Sequence, residues 1–444
     1  MKMGDMKPGL KARQAATRLL AAVVDGKASL DGLLDPVGGN PAFVALSDPD
    51  RLMVRAMLLA CLRHLQVIDG LIDRLTEKPL PAGARSLRHV LAIAAAQILY
   101  LDIPDHAAVD LAVTQANDDP RNRRFASLVN AVLRRMIREK DTLLAAVAAD
   151  VAPFPLWFAD RITEIHGLQA PAVMAAMAMP PALDLTVKSD PHGWAERLGG
   201  FVLPTGTVRI VNLNGPVSGL PGYLDGEWWV QDAAASIPAR LFRAPAGKRI
   251  ADLCAAPGGK TAQLVLAGAR VVAFDQSASR LARLRGNLVR LGMDVETRLG
   301  RAEDIVEPDG FDAVLLDAPC SSTGTVRRHP DIPWTKSRAD ISKMALVQRR
   351  LLDAATRLVK PGGEIVFSNC SLDPEEGEAM VAGFLADTPG WVIRPVDVSL
   401  LPELEEAVTA RGEVRTHAAM LARPEARLSG LDGFYAVVLV QQSH

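Results

Sequence analysis

The stretch "DLCAAPGGKTAQL", residues 252–264, sets the narrowest limits on the fold. It joins the end of an apolar run to a helical run through two adjacent glycines, and it comes close to a phosphate-binding loop, whose spacing is G-x-x-x-x-G-K-S/T. Gly259, Lys260 and Thr261 match the end of that spacing, but Cys254 replaces its first glycine. A strand, a glycine turn and a helix in this order predict an open α/β sheet with a ligand at the turn.

Two residues of this stretch argue against phosphate as the ligand. Pro257 has no backbone N–H to donate, and Asp252 would bring a carboxylate close to the phosphate. Gly258 and Gly259 would still let the backbone approach a ligand. Asp275 ends the next apolar run, where an acid in such folds accepts hydrogen bonds from ribose hydroxyls. The pattern favours a nucleoside cofactor such as S-adenosylmethionine; a turn without a ligand and a degenerate nucleotide hydrolase are the alternatives.

Short apolar runs alternate with helical runs from about residue 247 onward. "KRIADL", "RVVAFD", "FDAVLLD" and "EIVFSN" are predicted strands, and helices are predicted at "KTAQLVLAG", "SRLARLRGNLVRLG" and "SKMALVQRRLLDAATRLV". This order predicts a mostly parallel sheet with helices on both faces. The last apolar run, "GFYAVVLVQ", is predicted to be an antiparallel edge strand.

The rest of the chain predicts two further domains. Residues 11–148 show helical spacing of apolar positions without strand patterns, which indicates an all-α domain. Between residues 153 and 226, short segments are interrupted by Pro and Gly, which favours a small mixed α/β module. The predicted domains are therefore 1–148, 149–238 and 239–444.

Charge and composition exclude several classes of protein. The 444 residues carry a formal net charge of −1, so any contact with nucleic acid must use local patches. No run of eighteen apolar residues occurs, so we expect no membrane partner and a cytoplasmic protein. No feature demands a partner subunit, and a monomer is expected. Candidate basic patches are Arg121, Arg123, Arg124, Arg134, Arg135 and Arg138, and Arg327 with Arg328 and His329.

The four cysteines are too far apart in sequence for a C-x-x-C metal or redox site, so neither a metal nor a disulfide is expected. Cys61 lies in an apolar helical run and is predicted to be a core thiol. Cys320 and Cys370 instead follow predicted strands, and Asp317 ends the strand before Cys320. The carboxyl ends of these strands should face the crevice that also holds the glycine loop, residues 254–259.

Two thiols in one crevice suit methyl transfer to carbon 5 of a pyrimidine. Carbon 5 is a poor nucleophile, so a thiolate must first add to carbon 6, which makes carbon 5 electron-rich. The carbon 5 proton must then leave to a base, and the second thiol is a candidate for that step. Asp317 is a candidate for binding the base edge and stabilising charge during addition. The pattern alone does not decide which cysteine attacks.

Three motifs, "DLCAAPGGKT", "DAPCSSTGTVRRHPDIPW" and "NCSLDPEEGE", resemble those of RNA cytosine-5 methyltransferases of the Sun (RsmB) family. The segments "PDHAAVDLAV" and "FASLVNAVLRR" are similar to the RNA-binding NusB domain. The resemblance implies a Rossmann-like methyltransferase domain, S-adenosylmethionine as cofactor, and a cytosine of 16S ribosomal RNA, free or in an early small-subunit precursor, as substrate. It implies Cys370 as nucleophile and Cys320 as the residue that assists proton removal and release. The cofactor positions that it implies are Cys254, Ala255, Ala256, Pro257, Gly258, Gly259, Lys260, Asp275 and Asp317, with Lys260 and Asp317 also near the target base.

The chain departs from the family pattern at three positions. Asn369 replaces a threonine before Cys370, Gly377 stands where asparagine is common, and Arg301 stands where an acid near adenine is usual. Asp304 is close to Arg301 in sequence, but that role is not assigned to it. Methylation of transfer RNA and a non-catalytic ribosome-assembly or antitermination factor are the alternative functions.

Overall fold

The computed structural model describes residues 7–76, 78–81, 83–213 and 215–442. The chain forms two compact units. One spans Met1–Leu168 and includes Arg328–Ser337, and the other comprises Gln169–Arg327 and Arg338–His444. Within the described ranges, no helix has both the length and the apolar character needed to cross a membrane.

Helices form the secondary structure of the first unit and alternate with strands in the second. In chain order the α-helices are α1 (Leu10–Val24), α2 (Leu30–Leu33), α3 (Pro41–Val44), α4 (Asp48–Arg63), α5 (Leu65–Leu75), α6 (Arg85–Tyr100), α7 (Asp105–Asp118), α8 (Ala126–Asp150), α9 (Leu156–His166), α10 (Ala170–Met177), α11 (Pro191–Leu198), α12 (Gly259–Leu266), α13 (Ala278–Arg290), α14 (Ile332–Thr335), α15 (Arg338–Leu358) and α16 (Glu378–Asp387).

The strands belong to two separate sheets. In chain order they are β1 (Leu183–Val187), β2 (Gly200–Val202), β3 (Val208–Ile210), β4 (Trp228–Val230), β5 (Arg249–Leu253), β6 (Arg270–Asp275), β7 (Glu296–Leu299), β8 (Phe311–Asp317), β9 (Val359–Asn369), β10 (Trp391–Ile393), β11 (Val414–Thr416) and β12 (Phe434–Gln441). β1–β4 form the small sheet and β5–β12 form the large one.

The helical unit encloses one apolar core built from α1 and α4–α8. Cys61 is fully buried in this core, which confirms its prediction as a core thiol. The segment Arg328–Ser337, at the end of the Cys320 motif, belongs to the same unit. Trp334 packs against the core and donates a hydrogen bond from Nε1 to the carbonyl oxygen of Leu62, at 3.1 Å. The prediction of an all-α N-terminal domain is confirmed.

The large sheet has the order β10-β12-β9-β8-β5-β6-β7. β9, β8, β5, β6 and β7 run parallel to one another, which confirms the predicted Rossmann-like fold. β12 is antiparallel to β9, as predicted, but its prediction as an edge strand is wrong because β10 pairs with its other side. β10 is short and has no alternating pattern long enough to reveal it in the sequence.

The small sheet has the order β2-β3-β1-β4, with antiparallel neighbours, and α11 packs on β2 and β3. This confirms the predicted mixed module. Arg209 of β3 donates two hydrogen bonds of 2.7 Å to the carboxylate of Asp184 in β1, and both side chains are buried. Asp184 also accepts from the backbone N–H of Ala233, at 3.3 Å. The ion pair thereby anchors the segment that leads into the large sheet.

Replacing Arg209 with Met is expected to lower the free energy of unfolding of the second unit by about 3–5 kcal/mol, because it leaves Asp184 buried without its cation. Scanning calorimetry of the full chain measures this loss. The double variant Asp184→Leu/Arg209→Met should recover part of it, since no lone charge remains. The control is Arg427→Met, whose ion pair with Glu425 is about half exposed; an equal loss there would contradict the prediction.

Candidate active site

The glycine loop follows β5 and leads into α12. Cys254 and Gly258 have φ angles of 61° and 103°, both in the left-handed region. The conformation at position 258 favours glycine, and a Cβ there would also lie close to the side chain of Leu284, at 3.3 Å. The N–H of Ala255 donates to the carbonyl oxygen of Phe274 at 2.9 Å. This bond holds the loop against the end of β6.

Lys260, in the first turn of α12, forms a largely buried ion pair. Its Nζ lies 2.7 Å from Oδ2 of Asp317 and 4.7 Å from the centroid of the Phe434 ring. The hydroxyl of Ser368 donates to the other oxygen of Asp317 at 2.9 Å. A buried ammonium group is costly unless it is paired, and the carboxylate and the ring together compensate for that cost. Lys260 and Asp317 therefore form a fixed polar pair where β8 ends.

Two other acids flank the glycine loop. Asp252 is buried and accepts a 2.6 Å hydrogen bond from the hydroxyl of Thr261. Burial raises the pKa of Asp252 to about 7. Asp275, at the end of β6, accepts from the N–H of Ser277 at 2.9 Å and lies 3.4 Å from the guanidinium group of Arg280. A hydrogen bond from its own turn and an ion pair with the helix that follows therefore orient the Asp275 carboxylate.

Cys320 and Cys370 lie side by side. Cys370 directly follows β9, and Cys320 lies three residues beyond the end of β8. These strands are parallel neighbours, with Asp317 opposite Ser368. The two Sγ atoms are 3.4 Å apart, within hydrogen-bonding distance for sulfur. The predicted meeting of the two thiols at one edge of the sheet is therefore what the structure shows.

The contact between the thiols separates their acidities. The hydrogen bond from Cys320 lowers the pKa of Cys370, although burial opposes this shift. The same hydrogen bond, with burial, raises the pKa of Cys320. Burial also raises the pKa of Cys254, to about 12. Of these three thiols, Cys370 is the one most easily converted to the thiolate, which is the nucleophilic form.

The predicted site residues line two adjacent cavities that share Asp317. The first, which we call the cysteine cleft, has a volume of about 370 Å³. Its lining includes Cys254, Ala256, Asp275, Asp317, Cys320 and Cys370. The second cavity, of about 320 Å³, is lined by Asp317 and by the remaining loop residues, Ala255, Pro257, Gly258, Gly259 and Lys260. The glycine loop therefore contributes residues to both cavities.

Several lining residues of the cysteine cleft were missed from the sequence. Gln276 follows Asp275 directly and Glu303 follows β7, so the rule that ligands bind beyond strand ends would have found them. Arg301, noted above as a departure from the family pattern, also lines the cleft. Glu303 is the acid of this segment that lines the cleft, whereas the side chain of Asp304 is 70% exposed. The others carry no local signal: Arg280, Ser322, Val347 and Arg350.

The departures beside Cys370 have structural explanations. Asn369 accepts from the N–H of Ser371 at 2.9 Å and donates to the carbonyl oxygen of Glu376 at 2.6 Å, so its amide makes the local hydrogen bonds. At Gly377 a Cβ would lie 2.3 Å from Nη2 of Arg415. Arg415 thus occupies the space that an asparagine side chain would need.

The two candidate basic patches differ in exposure. Arg327 is buried and donates to the carbonyl oxygen of Ser429 at 2.9 Å, so its prediction as part of a surface patch with Arg328 and His329 is wrong. The six arginines of the other patch, in the helical unit, are exposed: Arg121, Arg123, Arg124, Arg134, Arg135 and Arg138.

Comparison with known proteins finds a family match for the C-terminal and for the N-terminal part of the chain. The 16S rRNA methyltransferase RsmB/F family matches residues 240–439, and the NusB family matches residues 10–138. Ribosomal RNA small subunit methyltransferase B of Klebsiella pneumoniae is 35% identical over 401 residues, covering 86% of this chain and 91% of that protein. The protein of the same name from Sodalis glossinidius is 35% identical over 419 residues, covering 90% and 95%.

Solved structures agree with the fold. The crystal structure of PH0851 is similar with a TM-score of 0.72 at 21% identity, over 97% of this chain and 98% of that chain. NSun6 from Pyrococcus horikoshii is similar with a TM-score of 0.55 at 17% identity, over 66% and 99%. The curated relatives match this chain along most of their length, so the relationship rests on sequence as well as on fold. The chain belongs to the 16S rRNA methyltransferase RsmB/F family, with a NusB-family helical domain at its N-terminal side.

Proposed function

We propose that this chain transfers the methyl group of S-adenosylmethionine to carbon 5 of a cytosine in 16S ribosomal RNA, with Cys370 as the nucleophile. The observation that carries the proposal is the 3.4 Å contact between Cys320 and Cys370 in a cleft that Asp275 and Asp317 also line. Relatives named ribosomal RNA small subunit methyltransferase B support ribosomal RNA as the substrate. Such a substrate would make the cytoplasm the site of the reaction.

The cysteine cleft fits a nucleoside cofactor in size and in chemistry. Its volume of about 370 Å³ is within the range of small-molecule sites. Asp275 stands at the end of β6, where ribose hydroxyls find an acceptor in doubly wound folds. Cys254 and Ala256 contribute the surface of the glycine turn. We assign the cofactor to these residues together with Asp317; when bound, it supplies an electrophilic methyl group.

Addition to the base is assigned to the Cys370 thiolate. Its sulfur forms a bond to carbon 6, and the electrons of the carbon 5–carbon 6 double bond move onto carbon 5 and the ring, which makes carbon 5 nucleophilic. Negative charge grows on the base in this step, and the Lys260 ammonium, held beside Asp317, is suited to stabilise it. Asp317 is suited to accept a hydrogen bond from the amino group of the cytosine.

Release is assigned to Cys320. After methylation, the carbon 5 proton passes to a base, the double bond re-forms and the bond between carbon 6 and sulfur breaks, which returns Cys370 as a thiolate. The charge of Cys370 is one cause of the raised pKa of Cys320. That charge is absent while Cys370 is bonded to the cytosine. Covalent adduct formation would therefore favour Cys320 as a thiolate base when a base is needed.

We assign methyl transfer to residues 239–444 and RNA positioning to residues 1–148, with residues 149–238 as the connecting module. The exposed arginines of the helical unit supply cations for phosphate contacts, which position RNA without reading its sequence. A paired or stacked target cytosine must leave its stack to reach Cys370. Free 16S RNA or an early small-subunit precursor is therefore the preferred substrate, and the proposed enzyme acts as a monomer without a metal.

Cys320→Ala is expected to accumulate a covalent protein–RNA adduct, because addition proceeds but release does not. Cys370→Ala should form no adduct, and both variants should lose turnover by about 100-fold or more. Purified proteins are incubated with 16S RNA and radiolabelled S-adenosylmethionine and analysed on a denaturing gel. Cys61→Ala, which removes a buried thiol in the helical unit, is the matched control and should methylate normally.

The other outcomes separate the alternatives. An adduct that needs Cys320 instead would exchange the two assignments. Transfer to transfer RNA but not to 16S RNA would change the substrate class. A wild-type chain that binds RNA but methylates neither 16S RNA nor a small-subunit precursor would be a non-catalytic binding factor.

Asp275→Asn is expected to weaken S-adenosylmethionine binding by about 10- to 100-fold, because hydrogen bonds to a charged acceptor contribute about 1.5–3 kcal/mol. Isothermal titration calorimetry without RNA measures the dissociation constant. The matched control is Asp304→Asn, an acid whose side chain is 70% exposed and outside the cysteine cleft. Equal affinities for Asp275→Asn and the wild type would contradict the assignment.

A further inference from the structure

Glu376 lies between the segments that carry the two thiols. It is fully buried, and Oε1 of its carboxylate accepts from the backbone N–H of Ser321 at 2.8 Å. Oε2 accepts from the hydroxyl of Ser321 and, at 2.5 Å, from that of Ser371. Ser321 follows Cys320 in the chain and Ser371 follows Cys370. One carboxylate therefore bonds the residues next to both thiols.

The carboxylate of Glu376 is held by neutral donors. They are one backbone N–H, two hydroxyls and the amide of Gln348, which donates to Oε1 at 3.0 Å. Burial raises the pKa of Glu376, and the hydrogen bonds from Ser321 and Ser371 oppose that rise. A buried acid with four donors and no cation among them is an expensive way to join two loops, since neutral side chains can do the same. The cost of this buried charge indicates that the carboxylate has a role beyond joining the two loops.

The charge of Glu376 acts on the thiol pair. After the hydrogen bond to Cys370, burial and the charge of Cys370, Glu376 is a further cause of the raised pKa of Cys320. The charged groups that affect Cys370 are Asp317, which raises its pKa, and Lys260, which lowers it. Glu376 thus disfavours a thiolate at Cys320, while Lys260 favours one at Cys370.

We propose that Glu376 is a positioning residue for the thiol pair: it holds Cys320 and Cys370 at bonding distance and keeps their shared proton on Cys320. The inference rests on the proposed function, because only a reaction that needs one thiolate and one thiol benefits from this asymmetry. A carboxylate that merely ties two loops together would stabilise the fold without influencing which thiol is ionised. The two roles predict different results for the amide variant.

The first test uses the free protein without RNA or cofactor. Initial alkylation rates of Cys320 and Cys370 by iodoacetamide are measured against pH by peptide mass spectrometry. In the wild type, Cys370 should react faster and reach half its maximal rate below the ordinary thiol pKa of 9.0, because its pKa is lowered. In Glu376→Gln, the preference for Cys370 should fall by about fivefold or more, since the amide no longer disfavours the Cys320 thiolate.

The matched control is Glu375→Gln, which removes the neighbouring charge. The Glu375 carboxylate accepts from the hydroxyl of Ser342 at 2.8 Å, on α15, and its removal should leave the preference within about twofold. An unchanged preference in Glu376→Gln would overturn the proposal. This test does not depend on methylation, so it can fail while the proposed function holds, and the proposed function can fail while it succeeds.

The second test is a double-mutant cycle on adduct formation. With 16S RNA and S-adenosylmethionine, Glu376→Gln should lower turnover and the rate of addition to the cytosine about tenfold or more, because a smaller fraction of Cys370 is the thiolate. Adding it to Cys320→Ala should change the rate of adduct formation less than about twofold, because the thiol that shares the proton with Cys370 is already absent. Equal losses of adduct formation in both backgrounds would show a general structural role and overturn the proposal.

Ser321→Ala provides a milder variant if Glu376→Gln does not fold. It retains the carboxylate and removes the hydroxyl bond beside Cys320. The same non-additive pattern is expected with a smaller loss of turnover, of about threefold. Full additivity with Cys320→Ala would again contradict a positioning role.

Discussion

Parallel pairing of β8 with β9 is the constraint on which the cysteine cleft depends. With Asp317 opposite Ser368, the two strands end at the same level, and the turns beyond them place Cys320 against Cys370. β5 pairs with the other side of β8, and its chain continues to β6 in the opposite direction across the sheet. The reversal of strand order between β5 and β8 brings the glycine loop to the same edge. A shift in any of these registers would separate the thiols from the loop.

Hydrogen bonds and close backbone contacts hold together the two segments that carry the thiols. The N–H of Gly324 donates to the carbonyl oxygen of Cys370 at 2.9 Å, and a Cβ at position 324 would lie 2.0 Å from the carbonyl oxygen of Gly433. Arg415 donates to the carbonyl oxygen of Ser371. The thiols are therefore held by several hydrogen bonds that exist before any ligand binds. In a site that excludes water, such fixed groups need little reorganisation during a reaction.

Much of the large sheet and of the site was predictable from local patterns. β6 and β8 match their predicted runs residue for residue, because each has at least four consecutive apolar residues and ends at an acid. β7 was missed because three of the four residues in "ETRL" are polar and only Leu299 is apolar. Arg327 looked like a surface cation, and only the tertiary fold brings Ser429 to it. Glu376 was beyond prediction for the same reason, since it lies 55 residues from Ser321 in sequence.

The fold also gives a physical reason why the glycine loop does not suit phosphate, although its sequence resembles a phosphate-binding loop. In such loops a lysine reaches the phosphates of the nucleotide. Here Lys260 is buried and bonded to Asp317, so phosphate binding would have to take its cation away from a carboxylate. Asp252 is buried beside the same helix, and a phosphate would raise its pKa further. Pro257 removes one backbone donor, and the pairing of Lys260 removes the cation, so the loop suits a ligand that brings hydroxyls or positive charge of its own.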